Sequence, residues 1–149
     1  MACCLESKVI MEKNKYIRKA NYYETDMMGI VHHSNHIRYF EEARIFFMRN
    51  IGCDVREMER YGIIIPNVDA YAKYRKPIRF EDEVEIEVRL TKFTGAVMEF
   101  QYTARFTGSG ETASTGHTQH CFVNSEFKPI SLRHKFPEYY AKLKENISQ

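Results

Sequence analysis

The sequence predicts an α+β fold in which a curved antiparallel sheet wraps around one long central helix. A strongly apolar segment with helical spacing begins near Ser34, one alternating segment precedes it, and a run of alternating segments follows it. A helix that is apolar on nearly every side is buried, and an alternating strand has one apolar face to cover. The order of these segments therefore predicts a sheet that packs its apolar face against the helix.

The first half of the chain supplies one strand and this helix. Residues 15–23 alternate loosely and predict a strand, after which Asp26 and Gly29 fall in a turn. The apolar positions of the helix almost encircle it; they are Ile37, Tyr39, Phe40, Ala43, Phe46, Phe47 and Ile51. Gly52 predicts the end of the helix.

The remaining segments predict two shorter helices and most of the sheet. Asp54 can cap a short helix that ends before Gly62, and a C-terminal helix is expected at about 138–146. The segments that predict strands are residues 69–75, 83–90, 97–106 and 111–123, with a glycine-containing turn between the last two.

Composition limits the function classes. A chain of 149 residues is one domain by size and can bury roughly two-thirds of the surface that its unfolded chain exposes. Its hydrophobic fraction of 44% is ordinary for a globular protein, and no apolar run approaches the roughly 20 residues that span a membrane. The net charge of +2 lacks the excess of Lys and Arg that nucleic-acid binding usually needs. We therefore expect neither a membrane nor a nucleic acid as partner.

Cysteine usage and the N-terminus indicate a cytoplasmic protein. The chain has four cysteines, Cys3, Cys4, Cys53 and Cys121. They lack zinc-ligand spacing and make a poor disulfide framework, so a reducing cytoplasm is the simpler interpretation. Residues 1–10 lack the basic and apolar regions of a secretory signal. We expect residues 1–14 to be a leader that is disordered or reflects an upstream start, and residues 15–149 to form the single domain.

The turn before the long helix places a carboxylate beside a helix N-terminus. Backbone N–H groups at that end have no intrahelical partner, and the helix dipole adds partial positive charge there. Such an end can hold a developing oxyanion while Asp26 attacks an acyl carbon or activates water to do so. This pair is a minimal device for hydrolysing an activated acyl group such as a thioester, whose thiolate leaves easily.

A family signature covers this region and extends over most of the chain. Its parts are the run Tyr23-Glu24-Thr25-Asp26-Met27-Met28-Gly29-Ile30-Val31-His32-His33-Ser34-Asn35-His36, then Tyr39-Phe40-Glu41-Glu42-Ala43-Arg44, residues 74–84, and Gly116-His117-Thr118. In these motifs and their spacing the sequence resembles the 4-hydroxybenzoyl-CoA thioesterase family of hotdog-fold acyl-CoA hydrolases.

The resemblance implies a fold, an activity and site residues. It implies a hotdog fold over residues 15–149 and hydrolysis of an acyl-CoA, or of an acyl carrier protein thioester, to a free acid and a thiol without metal or cofactor. It implies that Asp26 is the base or nucleophile and that the main-chain N–H of His33 polarises the thioester carbonyl. Gly29 would let the backbone turn tightly beside the ligand. Hotdog relatives have sites at subunit boundaries, so a homodimer or homotetramer is also implied.

Two histidines depart from the family pattern. His32 and His36 stand where an aromatic residue, often tyrosine, is common, and both could reshape the acyl pocket. Because they are four residues apart, they would share a helix face near Asp26 and could instead ligate a metal. No Glu follows the first histidine in the zincin manner and no fourth ligand is obvious, so we expect no metal site.

Further candidates have competing structural interpretations. Asp26 can form a cap or an Asx turn, and Asn35 can cap the helix or orient the loop. Glu41 lies where some hotdog thioesterases carry their catalytic carboxylate, but an ion pair with Arg44 is favoured. The substrate-binding candidates are Asn35, His32, Glu41, Arg75, Lys76 and Lys92.

The basic candidates could bind the phosphates of coenzyme A. Lys73, Arg75, Lys76 and Arg79 form a cluster in which arginine offers a bidentate fork, although a charged strand face is the commoner explanation. Lys92 is expected in a turn between strands and is a second candidate.

Two other functions remain open. A hotdog hydratase would use an Asp and His pair to add water to an enoyl thioester and leave the thioester intact. A non-enzymatic acyl-thioester binding module would retain its ligand without releasing thiol. The Asp26 loop favours hydrolysis over both.

Overall fold

One antiparallel sheet packs against a long helix, as predicted. The structure is a computed structural model that describes residues 13–149. The strands are β1 Lys15–Lys19, β2 Asn67–Tyr74, β3 Glu83–Phe93, β4 Val97–Phe106 and β5 Thr112–Cys121, in the sheet order β1-β3-β4-β5-β2. The helices are α1 His33–Asn50, α2 Val55–Arg60, α3 Leu132–Lys135 and α4 Pro137–Glu145. The predicted α+β architecture, a curved sheet around a central helix, is confirmed.

The predicted leader falls largely outside the described residues. Residues 1–12 of it are not among them, whereas the carbonyl of Asn14 accepts a hydrogen bond of 2.8 Å from the backbone N–H of Val88. Contact with the sheet therefore begins just before the predicted start of the domain.

The core lies between α1 and the inner face of the sheet. Phe40 stacks on Tyr102 with ring centroids 4.8 Å apart, and Phe47 meets Phe100 edge-on at 6.0 Å. Gly116 permits this close packing, because a Cβ at that position would lie 2.3 Å from the Phe40 ring. The alternation of β3, β4 and β5 thus buries the face that the sequence pattern predicts.

Two boundaries differ from the prediction for local reasons. The first strand ends at Lys19 rather than near Tyr23, because residues 22–24 form a 3₁₀ turn with a capping box between Asn21 and Glu24. β3 continues through a bulge after Leu90, so Lys92 lies within a strand and not in a turn.

Strand β2 forms one edge of the sheet and is almost entirely exposed. Val68, Tyr71 and Tyr74 are 57%, 56% and 49% exposed, although large apolar and aromatic groups favour burial. An edge strand of this kind presents unpaired backbone groups to another chain. Among residues 13–149, no helix has the length and apolar character to cross a membrane.

Candidate active site

The loop that precedes α1 is a tight hairpin. Thr25 bridges to Val31, and the N–H of Asp26 donates to the carbonyl of Ile30 at 2.9 Å. The N–H of Gly29 donates back to the carbonyl of Asp26, also at 2.9 Å, and Gly29 has φ +74°. A residue with a Cβ is strained at that φ, so the predicted need for glycine in this turn is confirmed.

The Asp26 carboxylate is held in place and remains half-buried. Its Oδ1 accepts a hydrogen bond of 2.8 Å from the N–H of Met28, which is the Asx turn of the structural interpretation. That bond fixes the direction of the carboxylate. It leaves Oδ2 without a hydrogen bond to any part of the chain that the structure describes.

The first N–H groups of α1 are partly satisfied. His32 is the N-cap: its Nδ1 accepts from the N–H of Ser34 at 3.2 Å, and its carbonyl accepts from the N–H of Asn35 at 2.9 Å. The N–H of His33, the first of the helix, has no acceptor within residues 13–149. A free N–H at the positive end of a helix dipole is therefore available to an anionic oxygen.

Asn35 orients the loop and does not cap the helix. Its Nδ2 donates to the carbonyl of Glu24 at 2.9 Å, and the N–H of His32 donates to the same carbonyl at 2.8 Å. Of the two roles considered for Asn35, capping the helix or orienting the loop, its contacts fit the orientation of the loop. The segment from Glu24 to the helix start is closed by these two bonds.

A polar cluster on the far side of the loop, the Glu24 network, consists of Arg18, Glu24, Tyr39 and Glu42. Arg18 forms two parallel bonds to Glu24, at 2.9 and 2.7 Å, and its Nε donates to Glu42 at 2.9 Å. Tyr39 donates to Glu24 at 3.0 Å, and the Arg18 guanidinium lies 4.6 Å from the Tyr39 ring centroid. Although burial opposes the charge of Arg18, its bonds to Glu42 and Glu24 raise its pKa above the usual value.

The Asp26 loop separates two cavities. The larger, about 830 Å³, lies beside the Glu24 network and is lined by His32, Asn35 and also Asp26. The smaller, about 440 Å³, is lined by Asp26, Val31, His33, His36, Tyr74, Arg75 and Lys76, among others. The smaller one combines the carboxylate, the start of α1 and apolar groups, which is the arrangement that an acyl group requires. We call it the Asp26 cavity.

The two histidines of the metal hypothesis do not converge. His32 is tied to Ser34 and faces the larger cavity, whereas His36 is buried and its Nδ1 lies 2.9 Å from the Ser114 Oγ. Burial, and then the nearby His33, lower the pKa of His36 to about 4. Within residues 13–149, no group of three or more His, Cys, Asp or Glu side chains is arranged to hold a metal ion.

Two predicted substrate-binding residues lie away from both cavities. The Glu41 side chain is 58% exposed and lies 3.8 Å from Arg44, which is the ion pair favoured from the sequence. Lys92 lies 3.6 Å from Glu99 on the outer face of the sheet. The cations that the fold does bring to the Asp26 cavity are Arg75 and Lys76, and Lys76 also pairs with Glu111.

Three residues near the site carry contacts that sequence reasoning did not assign. Glu24 stands in a capping-box pattern with Asn21, a signal that could have identified it. Tyr74 donates to the carbonyl of His33 at 3.0 Å, and Ser114 meets a residue 78 positions earlier. No local pattern reports contacts of that kind.

Known proteins resemble this chain over most of its length. Residues 21–144 match the family model described as the thioesterase-like superfamily. The chain is 36% identical over 110 residues to a "Putative esterase" of Aquifex aeolicus, covering 74% of this chain and 84% of that protein. It is 29% identical over 131 residues to the "Putative acyl-CoA thioesterase YneP" of Bacillus subtilis, covering 87% and 94%.

A solved structure supports the same grouping. The DHNA-CoA thioesterase from Staphylococcus aureus superposes with a TM-score of 0.85 at 30% identity, covering 89% of each chain. The predicted hotdog fold is confirmed by this match together with the family model.

Proposed function

Because the chain belongs to the thioesterase-like superfamily, we propose that it is an acyl-CoA thioesterase of the 4-hydroxybenzoyl-CoA thioesterase type, with Asp26 as its catalytic carboxylate. Relatives are named as acyl-CoA thioesterases, so the predicted enzyme class, a thioester hydrolase, is confirmed at the level of the family. One observation carries the residue assignment: Asp26 lines the same cavity as His33, whose N–H has no acceptor within residues 13–149.

The chemistry needs only these two groups. As a base, Asp26 takes a proton from water while the water oxygen adds to the thioester carbon, and the carbonyl oxygen becomes an anion beside the N–H of His33. The C–S bond then breaks, and the thiolate takes up the proton. As a nucleophile, Asp26 would instead displace the thiolate to give an anhydride that water hydrolyses. Met28 directs the carboxylate in both cases, through its bond to Oδ1.

We assign coenzyme A phosphates to the basic residues at the mouth of the Asp26 cavity. Arg75 and Lys76 both line it, and both side chains are exposed. A guanidinium can bind a phosphate with two parallel hydrogen bonds, whereas the Lys76 ammonium acts as a point charge already shared with Glu111. Arg75 is therefore the stronger candidate of the two.

The working enzyme is proposed to be a homodimer or a homotetramer. Strand β2 offers an exposed edge with Val68 and Tyr71 on it, and Tyr74 at its end lines the Asp26 cavity. A second copy docked on that edge would cover the apolar side chains and pair the free backbone groups. Each site would then lie beside a subunit boundary. Sedimentation that showed a fully active monomer at micromolar concentration would contradict this.

The reducing cytoplasm is the compartment that we propose. Cys53 is buried and Cys121 half-buried, and both are free thiols. Free cysteines persist in a reducing compartment.

The decisive experiment is a thiol-release assay over short, long and aromatic acyl-CoAs. Release of free coenzyme A together with the acid supports hydrolysis. A hydroxyacyl-CoA with the thioester intact would instead indicate a hydratase, and retention of an uncleaved thioester would indicate a binding module. Repeating the panel with acyl carrier protein thioesters identifies the carrier.

A further inference from the structure

His36 lies at the closed end of the Asp26 cavity. It is 4% exposed, whereas His33, one turn earlier on α1, is exposed and Asp26 is half-buried. All three line the same cavity. The cavity therefore runs from an open mouth at Asp26 and His33 to an inner end at His36.

A buried serine determines which nitrogen of His36 carries the proton. Ser114 is fully buried and its Oγ lies 2.9 Å from the Nδ1 of His36. A buried hydroxyl donates its proton to an acceptor, and among the described residues Nδ1 is the acceptor that Ser114 reaches. Because burial keeps the imidazole neutral near pH 7, its own proton is then on Nε2.

The imidazole plane is also fixed. The Tyr74 ring meets it edge-on at 4.8 Å, and the Tyr74 hydroxyl is anchored on the carbonyl of His33 at 3.0 Å. Within residues 13–149, the Nε2 of His36 makes no hydrogen bond. It is not fully buried, so a ligand in the cavity can reach it. Because His36 lines the Asp26 cavity and its Nδ1 is bound to Ser114, Nε2 is the ring nitrogen left to meet a ligand there.

We propose that His36 selects the acyl group by donating a hydrogen bond from Nε2 to an oxygen that the acyl group carries beyond the thioester carbonyl. This inference rests on the proposed function. In that function the carbonyl lies at the mouth, beside Asp26 and His33, so the part of the ligand that reaches His36 is the acyl substituent. A hydroxyl or keto oxygen there satisfies the donor, whereas a plain hydrocarbon leaves a buried N–H without a partner.

The first test compares benzoyl-CoA with 2-, 3- and 4-hydroxybenzoyl-CoA, which differ by one oxygen. We expect the wild-type protein to favour one hydroxylated isomer over benzoyl-CoA by about tenfold in kcat/KM, the scale of one net hydrogen bond. The absence of a preference for any isomer overturns the proposal.

Two substitutions separate the nitrogens of His36. His36→Asn keeps a polar atom near the Nδ1 position and removes the Nε2 donor, so the preference should fall to about one, a tenfold loss. His36→Gln places an amide near the Nε2 position and should retain part of the preference. His134→Asn, the same change at an exposed histidine of α3, should leave the preference intact. If His36→Asn keeps the preference for the hydroxylated isomer, selection by Nε2 is contradicted. The same holds if His36→Asn lowers kcat/KM equally for all four thioesters.

The tautomer of His36 can be determined by NMR, without an activity assay. In the wild-type protein, ¹⁵N NMR of the imidazole should show the proton on Nε2 of His36, and Ser114→Ala should give a mixture of both tautomers. A proton found on Nδ1 of the wild-type ring overturns the proposal even if a variant of His36 fails to fold.

Failure of the proposed function is distinguishable from failure of this inference. If none of the four thioesters releases thiol, the thioesterase assignment fails, and the same compounds become stable ligands for calorimetric titration. A hydroxylated isomer that binds about tenfold more tightly than benzoyl-CoA still supports the donor at His36, whereas equal affinities contradict it.

Discussion

The two sides of the Asp26 loop differ in how completely their polar groups are satisfied. On one side, Glu24 accepts from Arg18, Tyr39 and the N–H of Asn21, so its carboxylate is saturated with hydrogen bonds. On the other side, Asp26 uses one oxygen for one bond. These carboxylates are two residues apart in the chain.

This difference distinguishes Glu24, a structural carboxylate, from Asp26, the candidate for catalysis. Because both oxygens of the buried Glu24 carboxylate already accept hydrogen bonds from the protein, the role of Glu24 is to hold the loop in place. Asp26, the first N–H of α1 and the Nε2 of His36 each retain hydrogen-bonding capacity that faces a cavity. Unused capacity in a fixed geometry is what a binding site needs. Asp26 lines both cavities, but His33 and His36 line the smaller one, so the larger cavity beside Glu24 is the less suitable of the two despite its volume.

Disrupting the Glu24 network should have the largest effect, which is a loss of stability. Arg18→Met leaves the Glu24 carboxylate buried without its cation, so the free energy of unfolding should fall by about 3 kcal/mol, as for other broken buried pairs. Urea unfolding measures it. Arg56→Met, at an exposed arginine, should change it by less than about 0.5 kcal/mol.

A double variant sharpens that result. Arg18→Met with Glu24→Gln removes both charges, so it should recover part of the lost free energy of unfolding. Equal losses for Arg18→Met and Arg56→Met would mean that the Glu24 network does not support the fold.

Removing the Asp26 carboxylate should abolish most of the activity and leave the fold intact. Asp26→Asn keeps the size and the bond to Met28 but removes basicity and nucleophilicity, so kcat should fall by at least about a hundredfold with an unchanged melting temperature. Asp54→Asn is the matched control, because asparagine caps α2 as well as aspartate does. Near wild-type turnover in a folded Asp26→Asn would move the catalytic role to another carboxylate.

Acid should weaken the fold through the buried imidazoles. Burial, with His33 nearby, lowers the pKa of His36 to about 4, and burial with Arg44 lowers that of His120 to about 3, both from 6.5. Between pH 6.5 and those values the unfolded chain binds more protons than the folded one. The contribution of the two neutral imidazoles to stability is therefore fully present above pH 6.5 and is lost as the pH is lowered. Urea unfolding at pH 7, 6 and 5 should show a shallower fall in His36→Asn than in His134→Asn. Parallel curves would contradict the neutral state of His36.

The smallest effect is expected at Glu41. Its carboxylate is exposed and its pair with Arg44 spans 3.8 Å, so Glu41→Gln should change the free energy of unfolding by less than about 1 kcal/mol and leave kcat near the wild-type value. Loss of kcat with an intact melt would place a second catalytic carboxylate on the helix.

The sequence by itself determined the parts of this protein that depend on local pattern. The period of the apolar residues located α1 and β4, and Gly29 and Gly52 marked turns that do adopt positive φ. The Asp26 motif indicated a hotdog-fold acyl-CoA hydrolase, and the comparisons place the chain in the thioesterase-like superfamily. These signals are local because periodicity, capping and turn geometry involve residues a few positions apart.

Only the tertiary structure decided which side chains meet. Strand register brought Ser114 opposite Tyr74 and placed both against the first turn of α1, which gave His36 its fixed neighbours. The bulge after Leu90 kept Lys92 on the outer face, away from the site for which it was a candidate. Register and packing arise from the whole sheet closing on the helix, so no stretch of sequence records them by itself.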